Sequence, residues 1–174
     1  EVVSFMETFS FSALGTKWSI SLDHDLFLGE HKKAILDEVA SFENRFSRFL
    51  PGSEVNRFRQ ATAGSYEISQ QFSVMLFRAM RLREVSRGLY DPAVGGLLER
   101  AGYGMTRETG QGLSPQEFSL PGWSLTRTTL TLDGPVAFDL GGIGKGYCID
   151  LVGSTLERLG YRYFLVEGGG DMYG

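Results

Sequence analysis

One stretch in the last third of the chain gathers most of the groups that could do chemistry: Val136-Ala-Phe-Asp-Leu-Gly-Gly-Ile-Gly-Lys-Gly-Tyr-Cys-Ile-Asp150. Its apolar opening, ending at Asp139, reads as a strand. Tyr147, Ile149, Val152, Leu156 and Leu159 then recur at helical spacing, with Gly160 where a helix would close. The glycines Gly141, Gly142, Gly144 and Gly146 therefore fall between a strand end and a helix start. There the first helical N–H groups lack internal partners and the helix dipole is positive, so an anion can bind. Lys145 adds a charge beside them, and Asp91, Asp139, Asp150 and Asp171 supply carboxylates. An anion cradle with carboxylates suits a pyrophosphate carried with a divalent cation, because Mg²⁺ takes oxygen ligands and shares phosphate oxygens. Turn chemistry alone also favours glycine, so on its own the run reads first as a plain tight strand-to-helix turn.

Two familiar glycine loops do not fit. The Walker pattern would need Gly where Asp139 stands and Ser or Thr where Gly146 stands, and G-x-G-x-x-G from Gly142 would need Gly at Tyr147. No Ser/His/Asp triad can be drawn either: His24 and His31 fall in a polar loop and on a charged helix turn, where surface roles are the expectation.

The elements that must position these groups follow from pattern. Residues 4–12 and 16–22 read as a hairpin turning near Gly15. Residues 30–46 read as a helix with Ile35, Val39, Phe42 and Phe46 as its buried stripe. Pro51-Gly52 breaks it, and Ser53 is placed to cap a short helix over residues 54–60. Ser69 reads as the N-cap of a long helix lined by Phe72, Met75, Leu76, Ala79, Met80, Leu82 and Val85, and ended by Gly88. Arg78, Arg81 and Arg83 read as its solvated face. Asp91-Pro92 reads as the capped start of another short helix. Residues 102–122, rich in Gly and Pro, read as a surface excursion or lid. Leu125–Asp139 reads as a hairpin turning at Asp133-Gly134, and Tyr163-Phe-Leu-Val166 as a last strand. Hairpins mixed with helices point to an α+β fold rather than regular βαβ alternation.

Composition bounds the reading. The 174 residues are 42% hydrophobic and 22% charged with a formal net charge of −4, which suits a single domain over 1–174 with a real core. Mild acidity argues against nucleic acid as a partner, since that demands a basic face. The lone Cys148 excludes an internal disulfide and a cysteine metal cluster, and reads as a small buried hydrophobe. No run of about 18 apolar residues is present to span a membrane. The compartment stays open: a removed leader would imply a periplasmic or lipid-anchored protein, and otherwise a cytoplasmic one.

Taken with its neighbours, the glycine stretch resembles a known family. Asp139-Leu-Gly-Gly-Ile-Gly-Lys-Gly-Tyr147, with Asp150 three residues on, is similar to the signature of the ApbE-type FAD:protein FMN transferases. Ala13-Leu-Gly-Thr16 resembles the family's M-G-T. Phe46-Ser-Arg-Phe49 with Ser53-Glu-Val-Asn-Arg-Phe58 resembles its S-x-aromatic and S-E-x-x-R-hydrophobic pair. Gly88-Leu-Tyr-Asp-Pro-Ala-Val-Gly95 resembles G-x-[FY]-D-P-x-[VT]-G, and Gly169-Gly-Asp171 the late G-G-D.

The resemblance implies an ApbE-like, T-fold-related arrangement of mixed sheets and helices, incomplete at the C-terminus. It implies Mg²⁺-dependent transfer of the FMN half of FAD onto a threonine of a target flavoprotein, with AMP released. Leu14, Phe49, Leu89, Tyr90, Asp91, Asp139 and Lys145 would contact FAD, and Gly142 would give its backbone carbonyl to Mg²⁺, the remaining ligands lying outside this chain. It identifies no catalytic residue. A non-catalytic FAD-binding module or an FAD pyrophosphatase yielding FMN and AMP would use the same residues. Leu14 replaces the family's usual Met, and Arg59 stands where Asn is common. The chain stops little more than halfway along the family pattern, which implies either self-association or company from the missing half, particularly beside the strand at 163–166. Asp139, taken as the end of a strand beside solvent, is expected to tolerate alanine without much loss of stability.

Overall fold

The computed structural model describes residues 7–22, 27–103 and 120–174. It divides into two compact units: Glu1–Asn44 joined by Gly144–Gly174, the split unit, and Arg45–Ile143, the inserted unit. Both mix sheet and helix, as the pattern predicts.

In the split unit, β1 (Glu7–Ala13) and β2 (Thr16–Leu22) form the expected hairpin, pairing from Glu7 opposite Leu22 to Ala13 opposite Thr16. Two residues, Leu14 and Gly15, make the turn with φ of 51° and 72°. Positive φ at both central positions matches the strand twist, at some cost for Leu14, which is not glycine. Helix α1 (Gly29–Phe46) begins in this unit, and Ile35, Val39 and Phe42 on it are buried. Helix α4 (Gly144–Arg158) buries Cys148, Ile149, Val152 and Leu156 and lies against β6 (Phe164–Gly168) and β7 (Asp171–Tyr173).

The sheet order is β1-β2-β6-β7, antiparallel throughout. So β6 is an interior strand. Both its neighbours come from this chain, β2 and β7, which corrects the expectation that the strand at 163–166 awaits a partner from elsewhere. Gly168, opposite Trp18, has no room for a side chain: a Cβ there would sit 3.0 Å from the indole.

In the inserted unit, a three-stranded antiparallel sheet runs β3 (Gly64–Glu67), β5 (Thr129–Leu132), β4 (Trp123–Thr126). Helix α2 (Gln70–Val85) is capped as predicted, Ser69 Oγ accepting from the Phe72 N–H at 3.1 Å. Phe72, Met75, Leu76 and Ala79 are buried, whereas Leu82 and Val85, expected inside, are 39% and 60% exposed. Ser53 does not cap the following 3-10 turn (Val55–Gln60): Glu54 occupies the cap position, and Ser53 Oγ is buried with no partner among the described residues. Asp91 does cap, accepting from the Ala93 N–H at 2.9 Å, with Pro92 in the first turn before α3 (Gly95–Arg100).

The predicted hairpin at Asp133-Gly134 is not there. The hairpin joins β4 to β5 through Arg127-Thr128, and Val136–Leu140 is extended but in no sheet. The reason is geometric. β5 already has β3 on one side and β4 on the other, so no ladder remains for a third partner. The backbone of 136–140 bonds elsewhere: Val136 N–H to Phe58 O at 2.9 Å, Asp139 N–H to Pro92 O at 2.7 Å, and Gly95 N–H to Ala137 O at 3.0 Å. The excursion expected at 102–122 lies mostly outside the described residues.

Candidate functional site

Within the inserted unit, the segment ahead of the glycine loop alternates like a strand without being one. Val136, Phe138 and Leu140 are buried, and the ring of Phe138 meets Phe58, Phe72 and Trp123 at centroid distances of 6.0, 5.7 and 5.7 Å. Alternation then turns Asp139 to the opposite side. There its Oδ2 lies 2.9 Å from Arg48 Nε, in a pair whose side chains are only 11% and 13% exposed. Its Oδ1 accepts the Gly141 N–H at 2.6 Å, bracing the first glycine of the loop. Asp139 is therefore no solvent-facing strand end.

Arg48 was not singled out by the sequence reading. Its guanidinium carbon sits 4.2 Å from the centroid of the Phe49 ring, and its Nη1 is buried without a hydrogen-bond partner among the described residues. The backbone around it is held by Asn56, whose Nδ2 donates to Arg48 O at 2.8 Å and to Leu50 O at 2.7 Å. Asn56 Oδ1 in turn accepts from Arg59 Nε, and Arg59 Nη1 donates to Glu99 Oε2 at 2.7 Å. The departure at Arg59 thus has a structural role here, bridging the 3-10 turn to α3. The signal that could have flagged Arg48 was an arginine set between Phe46 and Phe49, a charge among rings.

Tyr90 lies by Asp139. A Cβ built on Gly142 would fall 2.9 Å from Tyr90 Cε2, so only glycine leaves the ring its place. The hydroxyl is buried and unpartnered among the described residues. Burial, then the charges of Asp139 and Asp91, push its pKa up to about 12. Asp91 is 4% exposed and fully engaged: besides capping, it lies 2.8 Å from Arg83 Nε and 3.4 Å from Trp123 Nε1. Its carboxylate thus braces the turn into α3 and ties it to α2 and β4. Phe49 is 52% and Leu89 94% exposed. The structure thus sets Phe49 and Asp139 against Arg48 and Tyr90 against Gly142, and leaves Leu89 out in solvent.

Within the split unit, the other assigned residues gather at one end of the sheet. Gly169 and Gly170, with φ of 58° and 93°, turn β6 into β7 beside the Leu14-Gly15 turn; Gly169 N–H donates to Lys17 O at 3.2 Å. A Cβ on Gly169 would meet Thr16 Oγ1 at 2.8 Å, so the two turns touch. An open depression there is lined by Leu14, Gly15, Thr16, Lys17 and Glu43. Lys145, in the first turn of α4, reaches Asp171 Oδ2 at 2.9 Å, and no acidic residue stands in that turn. His31, expected as a plain surface residue, is hydrogen-bonded through Nδ1 to Tyr161 Oη at 2.8 Å. His24 lies outside the described residues. Among the described residues, no group of three or more His, Cys, Asp or Glu could hold a metal ion, and no helix is long and apolar enough to cross a membrane.

Comparison with known proteins supplies the context for this geometry. The ApbE family model matches residues 14–174. The chain is 29% identical over 157 residues to the FAD:protein FMN transferase of Haemophilus influenzae, covering 82% of this chain and 44% of that protein. It is 27% identical over 147 residues to the FAD:protein FMN transferase of Vibrio cholerae, covering 79% and 43%. It therefore spans less than half the length of these curated relatives. Among solved structures, the flavin transferase ApbE from Vibrio cholerae superposes with a TM-score of 0.85 at 24% identity, covering 96% of this chain and 59% of that one. The apo flavinyl transferase ApbE of Pseudomonas stutzeri does so with 0.84 at 22%, covering 97% and 60%.

Proposed function

The chain belongs to the ApbE family, and from that premise we propose that it carries FAD-binding residues of an enzyme transferring FMN to a protein threonine. The observation that carries this reading is the run from Asp139 through the glycines into α4, whose first turn holds Lys145 and no carboxylate. A helix start with a cation and without an acid favours a bound phosphate group. In the inserted unit, Asp139, Tyr90 and the exposed ring of Phe49 would contact the nucleotide. In the split unit, Lys145 and the Leu14 turn would do so.

In the transfer, the threonine oxygen forms a bond to the FMN phosphorus. The anhydride P–O bond breaks, AMP leaves with the bonding electrons, and the hydroxyl proton passes to a base that the described residues do not identify. Mg²⁺, when bound, would offset charge on the pyrophosphate. Gly142 would offer it a backbone carbonyl, and among the described residues no group of three or more His, Cys, Asp or Glu stands by to complete a site.

In a second reading, the same residues let this chain bind FAD without catalysis. One experiment separates the two. The protein is mixed with FAD, Mg²⁺ and a flavoprotein bearing the acceptor threonine. AMP release with a covalent FMN mass shift on the acceptor supports transfer. Free FMN and AMP without that shift mark hydrolysis, and FAD recovered intact marks binding alone.

A further inference from the structure

Helix α2, in the inserted unit, has an outward face that breaks the usual pattern. Phe72, Met75, Leu76 and Ala79 bury its inward side. On a helix packed by one side, the other is expected to be polar. Here it carries Val74, Phe77, Leu82 and Val85, exposed at 37%, 45%, 39% and 60%. With Arg78 and Arg81 they are spaced i, i+3, i+4, i+7, i+8 and i+11, which places all six in one stripe along the helix. Exposed apolar residues scattered singly need no explanation, but four in a stripe mark a contact surface.

Charge restricts what fits there. Residues 77–91 hold four arginines, Arg78, Arg81, Arg83 and Arg87, against Glu84 and Asp91, a formal charge of +2 in a chain whose own is −4. Every cation is an arginine, whose planar fork matches carboxylates. A second copy of this chain fits poorly, because it would set a like-charged face against this one. A membrane fits poorly too. Val74, Phe77 and Leu82 are each more than half covered, too shallow to reach the acyl boundary. What remains is a protein surface that offers acids among apolar side chains.

We infer that the outward face of α2, from Val74 to Val85, is the docking surface for the protein that accepts FMN, and that it takes a segment mixing acidic and apolar side chains. The inference rests on the transferase reading above and deepens it by placing the acceptor. Position supports it. Ser86 Oγ accepts the Tyr90 N–H at 3.0 Å, and Arg83 Nε lies 2.8 Å from Asp91. The end of α2 is thereby fixed to the segment that sets Tyr90 against Gly142. An acceptor held on α2 is thus brought beside the glycine loop.

The test titrates the protein with a purified flavoprotein whose acceptor threonine is replaced by alanine, so that it docks without being modified. Phe77→Glu removes an apolar anchor and Arg81→Gln a cation, both at exposed positions and both by good helix formers. Each is expected to weaken acceptor binding roughly tenfold, with FAD affinity and melting temperature unchanged. Added salt should weaken acceptor binding by the wild type more than by Arg81→Gln. Unchanged acceptor affinity in both variants would overturn the inference. A sharp fall in the melting temperature of Phe77→Glu would also overturn it, since another part of the protein would then cover this face. The same holds for a wild-type dimer in light scattering that Phe77→Glu dissociates, or for binding to phosphatidylglycerol vesicles that Phe77→Glu abolishes while acceptor binding stands. Transfer of FMN to the native acceptor keeps the two readings apart. No transfer, with the acceptor still held through α2, removes catalysis alone. Transfer by a protein whose variants bind the acceptor normally removes the docking surface alone, and a wild type that neither transfers nor binds removes both.

Discussion

Lys145 Nζ lies 2.9 Å from Asp171 Oδ2, so the cation at the start of α4 is held by the carboxylate that opens β7. Both side chains are partly exposed, at 32% and 51%. Such a pair adds little to stability, typically under about 1 kcal/mol. Its value lies in holding the ammonium at a helix start where an anion can come.

Lys145→Met should therefore leave thermal stability nearly unchanged while lowering FAD affinity about tenfold, equivalent to about 1.4 kcal/mol. The affinity of the wild type should fall with added salt, and that of the variant much less, because screening acts on the lost charge. Calorimetric titration across an ionic-strength series checks both. Parallel salt slopes for the two proteins would remove Lys145 from the site.

Asp139 carries the opposite expectation. With its partner Arg48 it forms a pair only 11% and 13% exposed, and removing one member strands the other. Asp139→Ala should cost on the order of 2–4 kcal/mol. Arg48→Met in the same background should restore part of that loss, since no charge is then left unpaired. Urea unfolding of the single and double variants measures the cycle. A double variant no more stable than Asp139→Ala would mean that the pair is not what holds this segment.

These contrasts show what the sequence could reveal. Ser69 and Asp91 were legible as caps because a cap depends on a few neighbouring residues, and both side chains bond backbone N–H groups in their own turns. The β1–β2 hairpin was legible for the same reason. Asp133-Gly134 misled because turn chemistry says nothing of whether a ladder is free, and β5 was already paired on both sides. Arg48 was invisible as a site residue because its partner Asp139 stands far off in sequence, whereas Asn56, with its partners at 48 and 50 close by, was hidden because a side-chain bond to loop carbonyls leaves no periodic pattern. Glycines gave the loop away, but not the arginine that braces its first residue through Asp139.

Two buried protons tie stability to alkaline pH. Burial, then Glu38 and Glu43, push the Cys148 thiol from 9.0 up to about 12, and burial, then Asp139 and Asp91, push Tyr90 from 10.0 up to about 12. Both groups keep their proton more tightly when folded. Their contributions are thus fully present below the unfolded values and lost as pH rises toward 12. Melting temperature should decline between about pH 9 and 12, more gently in Cys148→Ala and Tyr90→Phe. At pH 8, iodoacetamide should alkylate native Cys148 far more slowly than the unfolded chain, because the thiolate is the nucleophile. Rapid alkylation of the folded protein would contradict the burial.

Asn56 allows the sharpest test of what holds the Arg48 loop. Its amide gives two N–H donors to Arg48 O and Leu50 O, while its carbonyl accepts from Arg59. Asn56→Asp keeps the acceptor and strengthens the contact with Arg59, but it removes both donors and turns a charge toward two carbonyl oxygens. If the Arg59 bridge dominated, this variant would be as stable as wild type or more so. The geometry favours the loop: two bonds are lost and two carbonyls left unmet, against one contact improved, for a net cost of roughly 2–3 kcal/mol. Arg59→Asn, which releases the bridge to Glu99 and the contact with the Asn56 carbonyl but leaves both Asn56 donors in place, should cost less, about 1 kcal/mol. Because Asn56 fixes the backbone that carries Arg48 and Phe49, Asn56→Asp should also weaken FAD binding, and Arg59→Asn should do so far less. Denaturant unfolding with FAD titration of both variants decides it, and an Asn56→Asp protein of undiminished stability would show that the loop is held by something else.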